Sequence, residues 1–256
     1  MDDHLVQAYL DRIGVSERGP SAAFLRELHE RHLMTIPFEN IDYHLGEPIR
    51  LGPHALDKVV RRGRGGTCRE LNGTAFPSLL RALDFPVTLL GGKVFREDGP
   101  SFALAHTVVR VDTPSPWLAD VGFGKHGARY PLRLDTGLRQ RDPNGVFEFV
   151  SGPNGDLDLM RNGTPTLRIE NTPRTVEDFR PLLWWYESSP DSPFRKSLFC
   201  TRLTENGRIT LRGDVLTRTE GANQEKRQLN GDSEIRQAYW EHFAIALDRL
   251  PPIPPP

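Results

Sequence analysis

The chain has 256 residues, of which 37% are hydrophobic and 26% charged, a composition typical of a globular protein. Lys and Arg together number 33 and Asp and Glu 34, so the formal net charge is -1. This balance excludes a general electrostatic attraction to nucleic acid or to an anionic membrane surface, and no apolar run is long enough to predict a transmembrane helix.

The N-terminal third of the sequence has helical periodicity. Apolar residues at three- and four-residue spacing predict a helix over 3–13 and a second helix after Ser21, a residue suited to the N-cap. Pro37 is expected to end the second helix and to open a turn through Asn40. A short third helix is predicted over 55–61. The first residues lack the basic and apolar regions of a signal peptide, so we expect a cytoplasmic protein with no membrane or nucleic-acid partner.

The segment that begins at Thr67 has the pattern of a helix start. Thr67 is suited to the N-cap, and Glu70, three residues later, is the reciprocal acceptor of a capping box. The helix is expected to continue to Leu83 with a kink at Pro77, because proline lacks the N–H that a helix interior needs.

From residue 87 the pattern changes to short apolar runs separated by Gly, Pro, Asp and Asn. Such runs favour a barrel or a sandwich of antiparallel strands. The predicted strands cover residues 87–90, 92–95, 103–111, 117–121, 146–151, 157–160 and 167–171.

The last third of the chain is mixed. A helix is predicted over 175–186 with an interruption at Pro181, and Ser233 is expected to cap a final helix. The proline-rich tail 251–256 is expected to be extended or disordered. Further strands are predicted over 198–203, 208–211 and 215–219, the first two joined by a hairpin at Asn206-Gly207.

The two cysteines differ in their surroundings. Two are too few for a disulfide framework or a four-thiolate zinc site, so each is either an inert core residue or a reactive thiol. Cys200 lies within a predicted strand and is expected to be a core residue. Cys68 is predicted at the first position of a helix, where free N–H groups favour an anion, and Arg64 and Arg69 flank it. These features favour a reactive thiolate at Cys68.

A cysteine nucleophile needs a base, and the base needs an orienting carboxylate. His106 lies in a predicted strand, and Asp120 ends the next one. Each has an ordinary structural interpretation, since a strand histidine is most often a packed residue and an aspartate before glycines is often a turn residue. The order of Cys68, His106 and Asp120 is what favours a catalytic triad.

Five segments in this order carry a family resemblance. They are His32 with Ile36-Pro37-Phe38-Glu39-Asn40-Ile41, Arg64-Gly65-Gly66-Thr67-Cys68-Arg69-Glu70-Leu71-Asn72, Ala105-His106, Leu118-Ala119-Asp120-Val121-Gly122-Phe123-Gly124, and Ser189-Pro190-Asp191-Ser192-Pro193-Phe194. They resemble the arylamine N-acetyltransferase family, which includes related amide synthases of antibiotic biosynthesis. The second segment is similar to the family's Arg-Gly-Gly-x-Cys-x-Glu-x-Asn signature.

The resemblance implies an α+β fold with a cysteine-protease-like triad of Cys68, His106 and Asp120. It implies a helical bundle over 1–84 carrying the nucleophile, a central antiparallel β-barrel over 85–187 carrying His and Asp, and a C-terminal α/β lid over 188–256. The implied activity is an acyl-CoA-dependent N-acyltransferase. Such an enzyme moves an acetyl or other short acyl group through an acyl-cysteine to an arylamine, hydrazine or related amine by a ping-pong mechanism. Acetyl-CoA or another acyl-CoA is the expected cosubstrate, and no metal is expected.

Other residues of the matching segments receive expected roles. We expect Glu39 and Arg64 to pair near the nucleophile and to hold the glycine loop. Glu39, Glu70 and Asn72 are expected to give structural support. Residues expected at the cosubstrate are Arg64, Arg69, Thr107, Gly122, Phe123 and Gly124. Those expected in the substrate pocket are Phe38, Phe123 and Phe194.

Three positions depart from the family's commonest form. Thr67 and Arg69 stand where aromatic residues are common, and Leu71 stands where Gln is common. Arg69 suggests the hypothesis that the enzyme binds a carboxylate on the acyl group, such as malonyl or succinyl. We expect instead a solvated arginine on a helix surface.

Several functions stay open at the level of sequence. The same triad would serve an amide synthase that takes its chain from an acyl carrier protein. It would also serve a cysteine hydrolase with water as acceptor. A non-catalytic binding module is the remaining alternative. The acceptor amine and the oligomeric state are not determined by the sequence.

Overall fold

The chain folds as an α+β protein, described over residues 1–255 by a computed structural model. Pro256, the last residue of the predicted proline-rich tail, lies outside the described residues, and residues 251–255 belong to no helix or strand. The α-helices are α1 Asp3–Ile13, α2 Ala22–Thr35, α3 Ile41–Leu45, α4 Pro53–Leu56, α5 Cys68–Glu70, α6 Phe76–Ala82, α7 Arg180–Ser188, α8 Pro193–Lys196 and α9 Gly231–Phe243. Two π-helical turns, Asp57–Arg61 and Leu71–Ala75, extend α4 and join α5 to α6.

Local capping explains where the first helices begin. The Asp2 carboxylate accepts a hydrogen bond from the N–H of Leu5 at 2.8 Å, and the Ser21 hydroxyl accepts one from the N–H of Phe24 at 3.2 Å. Such caps satisfy N–H groups that have no partner inside the helix. Within residues 1–255, no helix has both the length and the apolar character that crossing a membrane requires.

Nine of the strands form one antiparallel sheet, in the order β6-β5-β4-β2-β10-β9-β8-β7 with β3 paired to β2. Its strands are β2 Val87–Arg96, β3 Gly99–Pro100, β4 His106–Thr113, β5 Ser115–Leu118, β6 Leu132–Arg133, β7 Gln140–Asp142, β8 Gly145–Ser151, β9 Leu157–Arg161 and β10 Thr164–Arg174. The two edges, β6 and β7, are linked by the Gln140 side chain. This side chain accepts from the N–H of Arg133 at 2.8 Å and donates to its carbonyl at 2.9 Å. The sheet therefore comes close to a closed barrel, as the sequence predicts.

A second antiparallel sheet has the order β1-β11-β12-β13-β14. It combines β1 Phe38–Glu39, from the N-terminal part of the chain, with four strands that follow α8, and β1 pairs with the first of these. These are β11 Phe199–Thr204, β12 Gly207–Arg212, β13 Val215–Glu220 and β14 Asn223–Gln228. The expected boundaries at residues 84/85 and 187/188 stay a prediction.

Two local predictions need correction, and one strand was missed. Phe38-Glu39, predicted as a turn, is a strand paired with Thr201 and Cys200. β14 was not predicted, because all its side chains are polar and exposed and show no alternation. Helix α9 begins at Gly231 after Asn230, so Ser233 lies inside the helix instead of capping it. Pro181 lies in the first turn of α7, where a missing N–H costs little. The helix predicted over 175–186 is divided next to it into a 3-10 turn, Val176–Phe179, and α7.

The sheet register brings the predicted base and its carboxylate together. His106 begins β4 opposite Gly92 of β2, and β4 pairs on its other side with β5, which places Arg110 opposite Leu118. Asp120 follows β5 by two residues and therefore returns toward the start of β4. The α5 helix packs against the same end of β4.

A buried cluster of five charges lies beneath the α5 turn. The Lys58 ammonium contacts Asp42 Oδ2 at 2.7 Å and Glu70 Oε1 at 2.7 Å, and it lies 3.7 Å from Glu39 Oε1. The Arg64 guanidinium contacts Glu39 at 3.0 Å and Asp42 at 2.7 Å. We call these five residues the ion cluster. Since unpaired charges are costly to bury, each member depends on the others.

We expect Lys58→Met to lower the free energy of unfolding by about 3–5 kcal/mol, because it leaves three buried carboxylates facing the Arg64 cation alone. Urea unfolding of the purified protein measures this change. Arg61→Met is the matched control on the same π turn. Arg61 pairs with Asp57 at 3.6 Å, but both side chains are exposed, so a loss below about 0.5 kcal/mol is expected. Equal losses in the two variants would contradict the role given to the ion cluster.

Candidate active site

The α5 turn places the Cys68 thiol at a helix start. The Glu70 carboxylate accepts from the N–H of Thr67 at 2.8 Å, which completes the predicted capping box. Two glycines before it have no room for a side chain: a Cβ on Gly65 would lie 1.9 Å from the Pro37 carbonyl oxygen, and one on Gly66 would lie 2.7 Å from Glu70 Oε2. The loop therefore needs glycine at both positions in order to pack against its neighbours.

The three predicted catalytic residues converge. His106 Nε2 lies 2.7 Å from Asp120 Oδ2, and the His106 ring is close enough to the Cys68 thiol for each to shift the pKa of the other. Because Nε2 is held by Asp120, Nδ1 is the ring nitrogen that remains for the sulfur. All three side chains are buried, and Cys68 is 2% exposed.

Asn72 fixes the position of the carboxylate. Its amide nitrogen donates to Asp120 Oδ1 at 2.6 Å and to the carbonyl of Thr107 at 2.8 Å, while its oxygen accepts from the N–H of Val121 at 3.0 Å. The N–H of Gly122 donates to the same Asp120 oxygen at 3.0 Å. One side chain thus ties the π turn after α5 to β4 and to the loop of Asp120.

The electrostatics of the site favour a thiolate–imidazolium pair. Burial by itself raises the pKa of Cys68. The charges of Arg69 and His106 and the hydrogen bonds from His106 and the N–H of Thr107 reverse this, and the pKa of the thiol is lowered. Burial lowers the pKa of His106, but Asp120 and the Cys68 thiolate raise it to about 10. Burial also raises the pKa of Asp120, whereas His106 and the hydrogen bonds from Asn72 and Gly122 lower it below its ordinary value.

Cys200, in contrast, has the properties of a core residue. It is fully buried in β11, and burial together with the negative charge of Glu39 raises the pKa of its thiol well above the ordinary value. It is therefore not a competing nucleophile.

Aromatic side chains enclose the nucleophile. The Phe123 ring centroid lies 4.7 Å from that of His106. The Phe194 ring lies 6.4 Å from Phe38 and 5.0 Å from Tyr186. The predicted pocket residues Phe38, Phe123 and Phe194 therefore all belong to this wall. Tyr186 was missed, because it lies in α7, outside the segments that carry the family resemblance.

The residues expected at the cosubstrate occupy different places. Arg64 belongs to the buried ion cluster, so its guanidinium is held by carboxylates and does not face an open phosphate site. Arg69 and Thr107 are buried next to the Cys68 sulfur. Gly122 packs against Cys68, since a Cβ there would come within 2.8 Å of the Cys68 Cα. Gly124 lies at the far end of the loop, and its carbonyl accepts from the Arg208 guanidinium at 2.9 Å.

A basic cleft lies on the other side of this loop. Its volume is about 1310 Å³, and Glu205 is the one carboxylate among its described lining residues. The His126 ring lies 5.7 Å from the Phe123 ring, so the cleft and the triad share one wall. Basic side chains that line it are Lys125, Arg129, Arg161, Arg208, Arg212 and Lys226. Sequence analysis missed this cleft, because its residues come from distant segments that fold together.

Within residues 1–255, no three His, Cys, Asp or Glu side chains converge as the ligands of a metal ion would. A thiolate held by an imidazolium, with a carboxylate fixing the ring, is an arrangement for nucleophilic acyl transfer. The fold and the site define an enzyme of the cysteine-nucleophile class.

Comparison with known proteins agrees with this class. A family model described as N-acetyltransferase matches residues 22–251. The arylamine N-acetyltransferase of Mycolicibacterium smegmatis is 32% identical, with 94% of this chain and 92% of that protein covered. The structure of Mycobacterium marinum arylamine N-acetyltransferase in complex with CoA superposes with a TM-score of 0.85 at 30% identity, covering 94% of this chain and 92% of the other. The enzyme from Salmonella typhimurium gives a TM-score of 0.88 at 28% identity, with coverage of 97% and 93%.

The chain therefore belongs to the arylamine N-acetyltransferase family, an enzyme family, and the resemblance found in the sequence is confirmed.

We expect Cys68 to react with iodoacetamide at a rate that reaches its plateau well below pH 8.5, the pKa of an ordinary cysteine. The lowered pKa of Cys68 keeps the thiolate populated there. Because the pKa of His106 is raised to about 10, the ion pair stays intact up to about pH 10. Below the pKa of Cys68 the thiolate is protonated, so the rate falls. Mass spectrometry of the intact protein across a pH series measures the rate.

Two variants serve as controls for this pH profile. Cys68→Ser is expected to abolish labelling, because Cys200 is buried and has a raised pKa. Asp120→Asn is expected to move the rise in rate to higher pH, since the imidazolium loses its carboxylate. A wild-type profile that rises only around pH 8.5 to 9 would contradict the ion pair.

Proposed function

We propose that this protein is an acyl-CoA-dependent N-acyltransferase, with Cys68 as nucleophile, His106 as acid and base, and Asp120 as the group that orients His106. The observation that carries the proposal is the lowered pKa of a buried thiol held by His106, which in turn contacts Asp120 at 2.7 Å. Family membership supports the same chemistry. The cytoplasmic location expected from the sequence is part of this proposal.

In the first half-reaction the Cys68 thiolate attacks the thioester carbonyl. A bond forms between carbon and the Cys68 sulfur, the bond to the CoA sulfur breaks, and the leaving thiolate takes a proton from His106. The N–H of Thr107, which helps to lower the pKa of the Cys68 thiol, is suited to stabilise the oxyanion that forms between these steps. The product is an acyl-cysteine and neutral His106.

In the second half-reaction an amine attacks the acyl-cysteine. His106 takes the proton that the nitrogen loses, and the Cys68 thiolate leaves to restore the starting ion pair. Asp120 stabilises the imidazolium and fixes the ring so that Nδ1 faces the sulfur. An arylamine or hydrazine fits this step, because such amines are unprotonated near neutral pH and the site has an aromatic wall of Phe123 and Phe194.

The basic cleft is suited to the phosphates of CoA. Its cations outnumber its single carboxylate, and it adjoins the Phe123 side of the triad. A solved relative, the Mycobacterium marinum enzyme, is described in complex with CoA. CoA carries three phosphate groups, whereas the arm of an acyl carrier protein carries one, so the cleft favours acyl-CoA over the amide-synthase alternative as donor.

Exposure to a panel of acetyl-, propionyl-, malonyl- and succinyl-CoA without an amine is expected to add one acyl group to Cys68. The intact mass measures it, and Cys68→Ser is expected to gain none. Addition of aniline or phenylhydrazine is expected to remove the acyl group as the amide or hydrazide. Loss of the acyl group at the same rate without amine would indicate a hydrolase, and no adduct from any thioester would indicate a binding module. Acylation by a carrier protein alone would indicate an amide synthase.

Lys125→Ala combined with Lys226→Ala is expected to raise the acetyl-CoA concentration that half-saturates acylation by about 30-fold, because two lost contacts to phosphates, at about 1 kcal/mol each, weaken binding by about 2 kcal/mol. Both lysines line the cleft, and neither has a carboxylate within 4.0 Å among the described residues. S-acetylpantetheine lacks the nucleotide phosphates, so its half-saturating concentration should stay unchanged.

Lys196→Ala is the matched control for the cleft. Lys196 is an exposed lysine paired with Asp191 at 2.9 Å and does not line the cleft. No change with either donor is expected. A double variant that weakens acetyl-CoA and S-acetylpantetheine equally would argue against phosphate binding in the cleft.

A further inference from the structure

Arg69 is a buried cation without a protein counterion. It is 1% exposed and stands among the largest fully buried side chains of the protein. Across residues 1–255, no carboxylate lies within 4.0 Å of its guanidinium, in contrast to Lys58 and Arg64. The expectation of a solvated arginine on a helix surface is therefore wrong, because the barrel and α7 cover this face of α5.

Arg69 contacts neutral groups, and the Cys68 sulfur is the one exception. Its Nη2 donates to the carbonyls of Leu104 at 3.3 Å and Ala105 at 3.4 Å, and the guanidinium lies 4.2 Å from the centre of the Tyr186 ring. Its Nη1 lies 3.6 Å from the Cys68 sulfur, whereas its Nε is buried without any hydrogen-bond partner. Carbonyls and an aromatic face reduce the cost of burying a cation but do not neutralise it.

The anion that balances Arg69 in the resting protein is the Cys68 thiolate. Acylation removes that anion, because a thioester sulfur is neutral. With an acetyl group, Arg69 would be left as a buried cation facing no negative charge, a costly state. An acyl group with its own carboxylate would restore the balance and would supply an acceptor for the unpartnered Nε–H.

We propose that the preferred donor is the CoA thioester of a short dicarboxylic acid, of three or four carbons, and that Arg69 binds the free carboxylate of the acyl group. The proposal rests on the proposed function of Cys68 and names its substrate class. Carbon–carbon bonds of about 1.5 Å place the carboxylate of such an acyl chain only a few ångströms from the sulfur. Nη1 of Arg69 lies at a similar distance, 3.6 Å, from the same sulfur.

Alkylating reagents test the carboxylate site without CoA. Iodoacetate and iodoacetamide attach groups of the same shape to the Cys68 sulfur, one with a carboxylate and the other with a neutral amide. We expect the ratio of their rates at Cys68 to exceed the ratio at free cysteine by at least tenfold. We also expect the carboxymethylated protein to melt at a higher temperature than the carbamidomethylated protein. Equal ratios and equal melting temperatures would overturn the proposal.

Acyl-CoA donors test the substrate class directly. Wild-type acylation by malonyl-CoA or succinyl-CoA is expected to be at least ten times faster than by acetyl-CoA, read as the rate of mass gain at subsaturating donor. An acetyl rate equal to or above the dicarboxylic rates would overturn the proposal and leave the acyltransferase function intact. Failure of every donor to acylate Cys68 would instead contradict the proposed function, so the two failures are distinguishable.

Variants assign the preference to Arg69. Arg69→Gln is expected to slow acylation by all donors, since the thiolate loses a cation, but to lower the dicarboxylic-to-acetyl ratio at least tenfold. Arg69→Lys is expected to retain part of this ratio. Arg110→Gln is the matched control, because Arg110 lies on β4 and pairs with Asp112 at 2.9 Å away from the sulfur, so its ratio should match wild type. An unchanged ratio in Arg69→Gln would limit Arg69 to stabilising the thiolate and overturn the proposal.

Discussion

The ion cluster is the constraint on which the site depends. Three carboxylates and two cations are buried together. They come from five different places in the chain: β1, α3, the π turn after α4, the glycine loop and α5. Glu70 belongs to the cluster through one carboxylate oxygen and caps α5 through the other. The first turn of the Cys68 helix is therefore fixed by charge pairing as well as by packing. A shift of that turn would separate buried charges, which is why the sulfur keeps its place opposite His106.

A second level of organisation links the helices to the barrel through one amide. Asn72 holds Asp120 and the Thr107 carbonyl with one nitrogen and the N–H of Val121 with its oxygen. The charge of Asp120 keeps the imidazolium stable far above the ordinary pKa of histidine, and this in turn stabilises the thiolate. The contacts that position the triad are therefore the same contacts that stabilise its charges.

Positive charge is concentrated at two distances from the sulfur. Arg69 lies beside it and is buried, and the basic cleft lies beyond Phe123. The net charge of -1 for the whole chain does not show this local excess of positive charge. Buried and exposed cations differ in strength, because solvent and salt screen the cleft but not Arg69. The cleft is therefore suited to attract an anionic donor, and Arg69 to discriminate between its acyl groups.

The sequence by itself determined the features that depend on near neighbours along the chain: the capped helices, the Thr67–Glu70 capping box, the strand-rich middle and the family motifs around Cys68, His106 and Asp120. It did not determine the partners of buried charges. Lys58 looks like a surface lysine and Arg69 like a surface arginine, since nothing within a few residues shows what covers them. Their burial is decided by β1, by the barrel and by Tyr186 of α7, which only the tertiary structure brings to α5. Burial changes the energy of a charge far more than any local pattern does, so the specificity of the site was decided by the fold.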